Sequence, residues 1–228
     1  MNCPIKYNII STGSDGNAVI INDYILIDCG VPFKALKPYY KKLKLILLTH
    51  IHSDHFNKTT IKKLALERPT LRFGCGRWLA EPLVACGVDK KNIDILEPDI
   101  NNDYGPCYVI PVQLVHNVPN FGYKIHFAKG GKMIYATDTN NLNGVSAWRY
   151  DLYMIEANYE DEEIAERISR KKETGEYIHE YGAMKNHLSK KKCDEFIYKN
   201  IGANGQYIYM HTHKEDVEVD NNGKNSSI

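Results

Sequence analysis

The segment THIHSDH, residues Thr49–His55, constrains the fold of this chain more than any other part of the sequence. It holds three histidines and one aspartate, and it follows a largely apolar run that predicts a buried strand. A strand that feeds a tight loop lets His50 and His52 project toward one cation, while Asp54 and His55 turn toward a second. Imidazole nitrogen and carboxylate oxygen are ligands of zinc, and also of manganese and iron. The segment therefore predicts a metal centre at a strand end; the alternative is a surface loop that is rich in histidine by chance.

The pattern HxHxDH after an apolar strand is the signature of the metallo-β-lactamase superfamily, and three later segments resemble that family as well. His116 in VQLVHNVPNFGY resembles the family's third metal histidine. Asp138 in GGKMIYATDT resembles its bridging aspartate, and His211 in QYIYMHTH resembles its last metal histidine. His213 competes with His211 for that role, and His211 is preferred because it directly follows an apolar strand. The resemblance covers nearly the whole chain, from about residue 9 to residue 213.

The resemblance implies an α/β fold of the four-layer αββα sandwich type. A chain of 228 residues is long enough for one such domain with a large core. We expect residues 1–213 to form this single domain and residues 214–228 to be a polar C-terminal tail.

The resemblance also implies two divalent cations, zinc or alternatively manganese, that share a bridging hydroxide as the nucleophile. Seven ligands would surround them: His50, His52 and His116 for the first cation, Asp54, His55 and His211 for the second, and Asp138 between the two. Asp54 would also orient the hydroxide. Asp28 in LIDCG resembles a family position that supports the metal histidines from below.

Two more segments resemble the ribonuclease Z branch of the family. Glu156 in MIEANYED and His187 in KNHLSKKKCDEF match its glutamate and its later histidine. In that branch the histidine donates a proton to the leaving oxygen of a phosphodiester and the glutamate orients it, which defines a catalytic set of Asp54, His187 and Glu156. A purely structural role is the alternative for both Glu156 and His187. STGSDGNAVII, TDTN, EANYE and NHLS together resemble most the small WalJ-type branch, which is DNA exonuclease-like.

These resemblances predict a metal-dependent hydrolase, in particular a dinuclear-metal phosphodiesterase or nuclease. The alternatives are a phosphodiesterase of cyclic-nucleotide defence signals, of the type that phages encode, a lactone or thioester hydrolase, and a catalytically idle interaction protein. Asp138 stands where the best-known zinc β-lactamases have cysteine, and His52 stands where diiron flavoproteins have glutamate. Antibiotic hydrolysis and oxygen reduction are therefore not expected. The short interval between His116 and Asp138 leaves no room for a tRNA-gripping arm, so full tRNA processing is not expected either.

Composition adds expectations about partners and location. The net charge of +1 is too small to indicate, by itself, that the protein binds nucleic acid. The six cysteines form no CxxC pair, and neither a signal peptide nor a long apolar span is present, so we expect a cytoplasmic protein without a membrane partner. The segment Glu160–Asn186 interleaves basic residues with Tyr177 and Tyr181. It would either hold a phosphodiester substrate, nucleic acid or cyclic nucleotide, or form a solvated helix and a homodimer contact.

Hydrophobic periodicity and turn residues predict the elements along the chain. Strands are expected over residues 5–11, 18–22, 24–28, 43–48, 108–115, 121–127, 132–137, 152–156 and 206–210, and helices around residues 61–65, 81–86, 161–172 and 190–199. The first three strands should form an antiparallel meander.

Overall fold

The computed structural model describes residues 5–212, which form two six-stranded sheets. The first sheet, in spatial order, contains β1 (Tyr7–Ser11), β2 (Ala18–Ile21), β3 (Ile25–Ile27), β4 (Leu45–Leu48), β5 (Arg72–Cys75) and β6 (Ile93–Ile95). The second sheet contains β7 (Asn102–Asp103), β8 (Cys107–Leu114), β9 (Asn120–Phe127), β10 (Lys132–Ala136), β11 (Leu152–Glu156) and β12 (Gln206–Met210). β1 to β3 pair antiparallel, as expected, and β3 to β6 continue in parallel. In the second sheet β7 to β10 are antiparallel, whereas β10, β11 and β12 are parallel.

The sheets are apolar on both faces because each is covered on both sides. In β2, Val19 and Ile21 pack into the core between the two sheets, while Ala18 and Ile20 pack against the outer helices. This alternation is the two-residue period of a strand, and it explains why every residue of β2 is buried. The continuous apolar runs that predict strands in the sequence therefore mark the central strands of the sandwich.

Helices form the two outer layers of the fold. α1 (Phe33–Leu36), α2 (Lys58–Glu67) and α3 (Ala80–Ala85) accompany the first sheet, and α4 (Asp161–Thr174), α5 (Glu180–Asn186) and α6 (Lys190–Asn200) follow β11. Asn57 caps α2 by accepting a hydrogen bond from the Thr60 amide, and Ser189 caps α6 in the same way. α6 packs on the outer face of the second sheet through Cys193, Phe196 and Ile197. The order helix, sheet, sheet, helix confirms the four-layer αββα sandwich.

Most elements lie within a few residues of their predicted bounds, but five were not predicted: α1, β5, β6, β7 and α5. These elements are short, and β5 and α5 contain a glycine. Neither the two-residue period of a strand nor the 3.6-residue period of a helix can therefore be recognised in their sequences. His213 and the polar tail lie outside the described residues. Among residues 5–212, no helix combines the length and apolar character needed to cross a membrane.

Candidate metal centre

The predicted site residues meet at one edge of the sandwich, where parallel strands of both sheets end. Five positions lie at or just beyond strand ends: Asp28 after β3, His50 after β4, Asp138 after β10, Glu156 at the end of β11 and His211 after β12. Because β3 runs parallel to β4, and β10 and β12 run parallel to β11, these ends are neighbours within each sheet. The fold thus brings together residues that are far apart in the sequence.

The first predicted ligand set forms a compact triad of imidazoles. His50 Nε2 lies 3.0 Å from His52 Nδ1, and His116 Nε2 lies 3.4 Å from the same atom. Partners on the opposite side of two rings fix their tautomers, because His116 Nδ1 donates to the carbonyl of Asn186 at 3.1 Å and His50 Nδ1 contacts Thr49 Oγ1 at 2.9 Å. The lone pairs of His50 Nε2 and His116 Nε2 therefore face His52 Nδ1, and a cation between the three nitrogens would stabilise this arrangement.

The second predicted set brings Asp54 together with two histidines. Asp54 Oδ2 lies 3.5 Å from His55 Nε2 and 3.9 Å from His211 Nε2. His55 Nδ1 is held by Asp28 Oδ2 at 2.7 Å, and His211 Nδ1 is held by Glu156 Oε1 at 3.0 Å. Each ring thus uses Nδ1 for a carboxylate beneath it and leaves Nε2 for a shared centre.

Asp138 lies between the two sets. Its Oδ2 is 2.9 Å from His55 Nε2, and its Oδ1 is 3.8 Å from His116 Nε2. The carboxylate is 2% exposed, yet Oδ2 accepts no hydrogen bond of acceptable geometry from the described residues. A buried anionic oxygen in this state requires a cation beside it, which is either the protonated His55 or a metal ion bound in place of that proton. The orphaned oxygen and the nitrogen and oxygen ligands, which lie within 4.8 Å of one another in each set, fit divalent metal ions.

The pKa values differ between the two sets. Burial lowers the pKa of His50 to about 2 and also lowers the pKa of His116, so these imidazoles are neutral at pH 7. Burial opposes protonation of His55 as well, but the carboxylates of Asp138 and Asp28 outweigh it and hold the pKa of His55 well above its usual value. Likewise, the hydrogen bond to Glu156 and the charge of Asp138 outweigh burial and raise the pKa of His211.

The pKa values of the two carboxylates among the candidate ligands are shifted in the opposite direction, downward. Burial would raise the pKa of Asp138, but the adjacent imidazole of His55 outweighs burial and holds it well below its usual value. The same balance between burial and a hydrogen bond from His55 lowers the pKa of Asp54. Without metal, protons on His55 and His211 therefore balance the carboxylates of the second set.

Glu156 and His187 are in contact, as the sequence predicted, and Glu156 has further partners. His187 Nδ1 lies 2.7 Å from Glu156 Oε1, the same oxygen that faces His211. The other oxygen accepts the amides of Thr139 at 2.9 Å and Leu188 at 3.2 Å. Glu156 is fully buried, whereas 22% of the His187 side chain is exposed at the mouth of the site.

Sequence reasoning missed Asn17, which packs directly under the second set. Asn17 Nδ2 lies 2.8 Å from His55 Nε2 and 3.0 Å from the carbonyl of Gly13. A Cβ at Gly30 would come within 1.6 Å of the Asp54 carbonyl, so only glycine allows the backbones to pass here. The one sequence signal for Asn17 is its position after the glycine turn between two strands.

The chain was compared with known proteins. The profile of the "Beta-lactamase superfamily domain" family matches residues 23–187. No curated protein matches the sequence. Among solved structures, the metallo-β-lactamase fold protein YhfI from Bacillus subtilis has a TM-score of 0.70 at 18% identity, with 92% of this chain and 87% of YhfI covered.

Two other solved structures are similar in fold. Human tRNase Z, short form (ELAC1), has a TM-score of 0.65 at 16% identity, with 90% of this chain and 92% of that one covered. A diphosphatase from the PhnP family has a TM-score of 0.64 at 17% identity, with 94% and 91% covered. The chain belongs to the metallo-β-lactamase superfamily. Its family and its histidine and aspartate cluster support a metal-dependent hydrolase.

Proposed function

We propose that this protein is a dinuclear-metal phosphodiesterase that cleaves nucleic acid. Two divalent cations, zinc or alternatively manganese, would supply an activated hydroxide near neutral pH and polarise the phosphoryl oxygens. Their ligands would be His50, His52 and His116 on one side, Asp54, His55 and His211 on the other, and Asp138 between them.

The contact between His187 and Glu156 carries this proposal. With Nδ1 donating to the buried carboxylate, His187 keeps Nε2 available to transfer a proton, and Glu156 fixes the orientation of the ring. A proton held there can be transferred to a departing alkoxide, which is poorly stable without it. The leaving group of a nucleic-acid phosphodiester is an alkoxide, whereas a thioester expels a thiolate, which leaves without a proton donor.

The remaining residues of the site would orient the reactants. The Asp54 side chain is 23% exposed and its Oδ2 lies 3.5 Å from His55 Nε2, so its carboxylate is placed to accept a proton from the attacking solvent molecule. The names of two structural neighbours, a tRNase and a diphosphatase, are those of phosphoester-cleaving enzymes and support the same reaction class.

The test compares two leaving groups in the zinc- and manganese-loaded enzyme. We expect His187→Ala to lower cleavage of an oligonucleotide by about 100- to 10,000-fold, the usual contribution of a positioned acid. Hydrolysis of bis-p-nitrophenyl phosphate should fall much less, because nitrophenolate leaves without an acid. His126→Ala is the matched control, since His126 is on β9 of the second sheet, contacts Tyr150 and lies outside the metal cluster.

Other outcomes would favour the alternatives. A p-nitrophenyl ester hydrolysed faster than either phosphodiester, and unaffected by His187→Ala, would indicate a carbon-centred hydrolase. Cyclic mononucleotides cleaved in preference to oligonucleotides would indicate the cyclic-nucleotide phosphodiesterase.

A further inference from the structure

A cleft of about 560 Å³ lies beside the metal cluster, between residues 140–145 and helix α6. We call it the α6 cleft. Its volume is within the range of small-molecule sites, which is about 300–1,000 Å³. None of the nine predicted site residues lines it, so the proposed chemistry does not account for it.

The walls of the α6 cleft are polar and carry two ammonium groups. Lys192, Glu195 and Lys199 lie three to four residues apart on α6 and form one wall, and Asn140 and Asn143 are on the other. Lys192 Nζ contacts the Asn140 carbonyl at 3.3 Å. The side chains of Lys199 and Asn143 have no hydrogen bond or ion pair within residues 5–212. Two lysines against one glutamate leave the cleft with a net positive charge.

The floor of the cleft is apolar. Leu142, Leu188 and Phe196 line it, and each is at most 9% exposed. An apolar floor beneath amide and ammonium groups suits a nucleotide, because a base has a flat apolar face, polar edges and a charged phosphate. A purely anionic ligand would gain nothing from this floor.

One wall and the floor of the cleft contain residues that are next to catalytic residues in the sequence. Asn140 is two residues beyond Asp138, and Leu188 directly follows His187. Asn140 Nδ2 donates to the Lys185 carbonyl at 3.0 Å, so the loop and the end of α5 meet at the rim between the cleft and the metal cluster. The α6 cleft therefore adjoins the side of the site that His187 occupies.

We propose that the α6 cleft binds the nucleotide on the leaving-group side of the scissile phosphodiester. This inference rests on the proposed function, in which His187 protonates the leaving oxygen, so the group attached to that oxygen lies on the side of His187. A cyclic mononucleotide has a single phosphate, which would lie at the metal centre and leave none for the lysines of the cleft. The substrate is accordingly a nucleotide chain.

The experiment uses the metal-loaded enzyme and the double variant Lys192→Gln/Lys199→Gln. Lys191→Gln is the matched control, because Lys191 is exposed on the same helix but does not line the cleft. Lys199→Gln alone avoids the contact between Lys192 and Asn140. The KM for octathymidylate and octauridylate is measured beside the hydrolysis of bis-p-nitrophenyl phosphate, which has no nucleotide.

Binding is measured separately by fluorescence anisotropy with labelled phosphorothioate octamers, which resist cleavage. We expect the double variant to raise the Kd and the KM for the octamers about tenfold. The slope of log Kd against log salt concentration should become shallower by about 1.4, since two phosphate contacts to a single strand are lost. Hydrolysis of bis-p-nitrophenyl phosphate should stay at the wild-type level, and Lys191→Gln should behave as wild type in every assay.

The inference is overturned if the octamer Kd and KM of the double variant equal those of Lys191→Gln. A wild-type enzyme that hydrolyses neither bis-p-nitrophenyl phosphate nor the octamers would instead reject the proposed function, and the anisotropy would still decide whether the cleft binds a nucleotide chain. Preferential loss of bis-p-nitrophenyl phosphate hydrolysis in the double variant would also overturn the inference, because it would place the lysines in the catalytic site.

Discussion

Three site residues have a left-handed backbone directly after a strand: Asp28, Asp138 and His211, with φ of 58°, 57° and 54°. This region is uncommon outside glycine and costs on the order of 1–3 kcal/mol where it is strained. Hydrogen bonds hold the turns, since His211 donates its amide to Thr12 Oγ1 and accepts from Asn158 Nδ2 through its carbonyl. The sharp turns direct the three side chains into one cluster, so backbone strain here positions the candidate ligands.

Asp28 is expected to tune metal binding without touching the metal. Its carboxylate accepts from the amide and hydroxyl of Thr49 and faces His55 Nδ1. Asp28→Asn keeps the size and the tolerance for positive φ but removes the charge. We expect metal affinity to fall about 10- to 100-fold, the usual effect of losing such a partner, as measured by titration with a competing chelator. Asp23→Asn is the control, because Asp23 also has positive φ, 64°, but lies in a half-buried turn where its partner is Lys6. Equal losses in both variants would contradict this role.

Asp138 is expected to hold both cations at once. Asp138→Ala removes the carboxylate whose two oxygens face His55 and His116, so both bound metal and the rate should fall. Elemental analysis of the purified variant measures this directly, and we expect fewer than two cations per chain. Full occupancy by two cations would show that Asp138 does not bridge them.

At the residue scale, the sequence predicts the candidate metal ligands better than it predicts the residues that hydrogen-bond to those ligands. The histidine spacing of Thr49–His55 is a local pattern and can be seen directly. The contact of Asn17 with His55 joins residues 38 positions apart, and Glu156 serves both His187 and His211. Such contacts depend on strand pairing across the fold, and no local pattern encodes them.

At the scale of elements, long apolar strands were predicted closely, and the short strands β5, β6 and β7 were missed. β11 and β12 have their predicted bounds, because each is a run of mainly branched or aromatic residues. The parallel pairing of β10, β11 and β12 could not be read from composition, although it creates the edge on which the site lies. α5 was missed because EYGAMKN contains a glycine and has no apolar period.

The α4–α5 pair should depend on one ion pair. Lys171 Nζ lies 2.6 Å from Glu180 Oε1, and the two side chains are 12% and 9% exposed. Lys171→Ala would leave Glu180 without its counter-ion, and Glu180 Oε2 already has no hydrogen-bond partner in the described structure. We expect amide exchange in α5 to accelerate about tenfold, the scale of one lost buried partner.

Because α5 leads directly into His187, the same variant should also cleave oligonucleotides more slowly. Lys172→Ala is the control, since Lys172 is exposed on the same helix and is not in this ion pair. Identical exchange in the two variants would show that the ion pair does not hold α5.

At the scale of the whole molecule, the metal centre joins the two sheets. His50, His52, Asp54 and His55 are on the loop after β4, whereas the other ligands follow strands of the second sheet. The sequence predicts this division, because the first motif lies in its N-terminal half and the other ligand motifs lie further along the chain. It does not predict the α6 cleft, whose walls come from a loop and a helix about 50 residues apart. A cation held from both sheets should stabilise the folded sandwich as a unit.

Metal should therefore raise the melting temperature, and the increase should grow with pH. A ligand at 100 times its Kd stabilises the folded state by about 2.7 kcal/mol, which corresponds to roughly 5–10 °C for a chain of this size. The raised pKa values of His55 and His211 mean that, in the metal-free protein, both imidazoles keep their protons to higher pH than an ordinary histidine does. Those protons must leave before Nε2 can bind a cation, so a lower pH weakens metal binding by the second set. His50 and His116 are already neutral, which makes the first set less sensitive to pH.

Differential scanning calorimetry with and without zinc, from about pH 6 to pH 8, measures the effect against the metal-free baseline at each pH. Affinity should rise about tenfold per pH unit for each proton released. Titration calorimetry in buffers of different ionisation enthalpy counts these protons, and we expect the second equivalent of zinc to release more than the first. Equal proton release by both equivalents, or a zinc-induced shift in melting temperature that is constant over this pH range, would contradict the asymmetry between the two sets. The first set should bind its cation before the second, because the neutral imidazoles of His50 and His116 do not have to lose protons first.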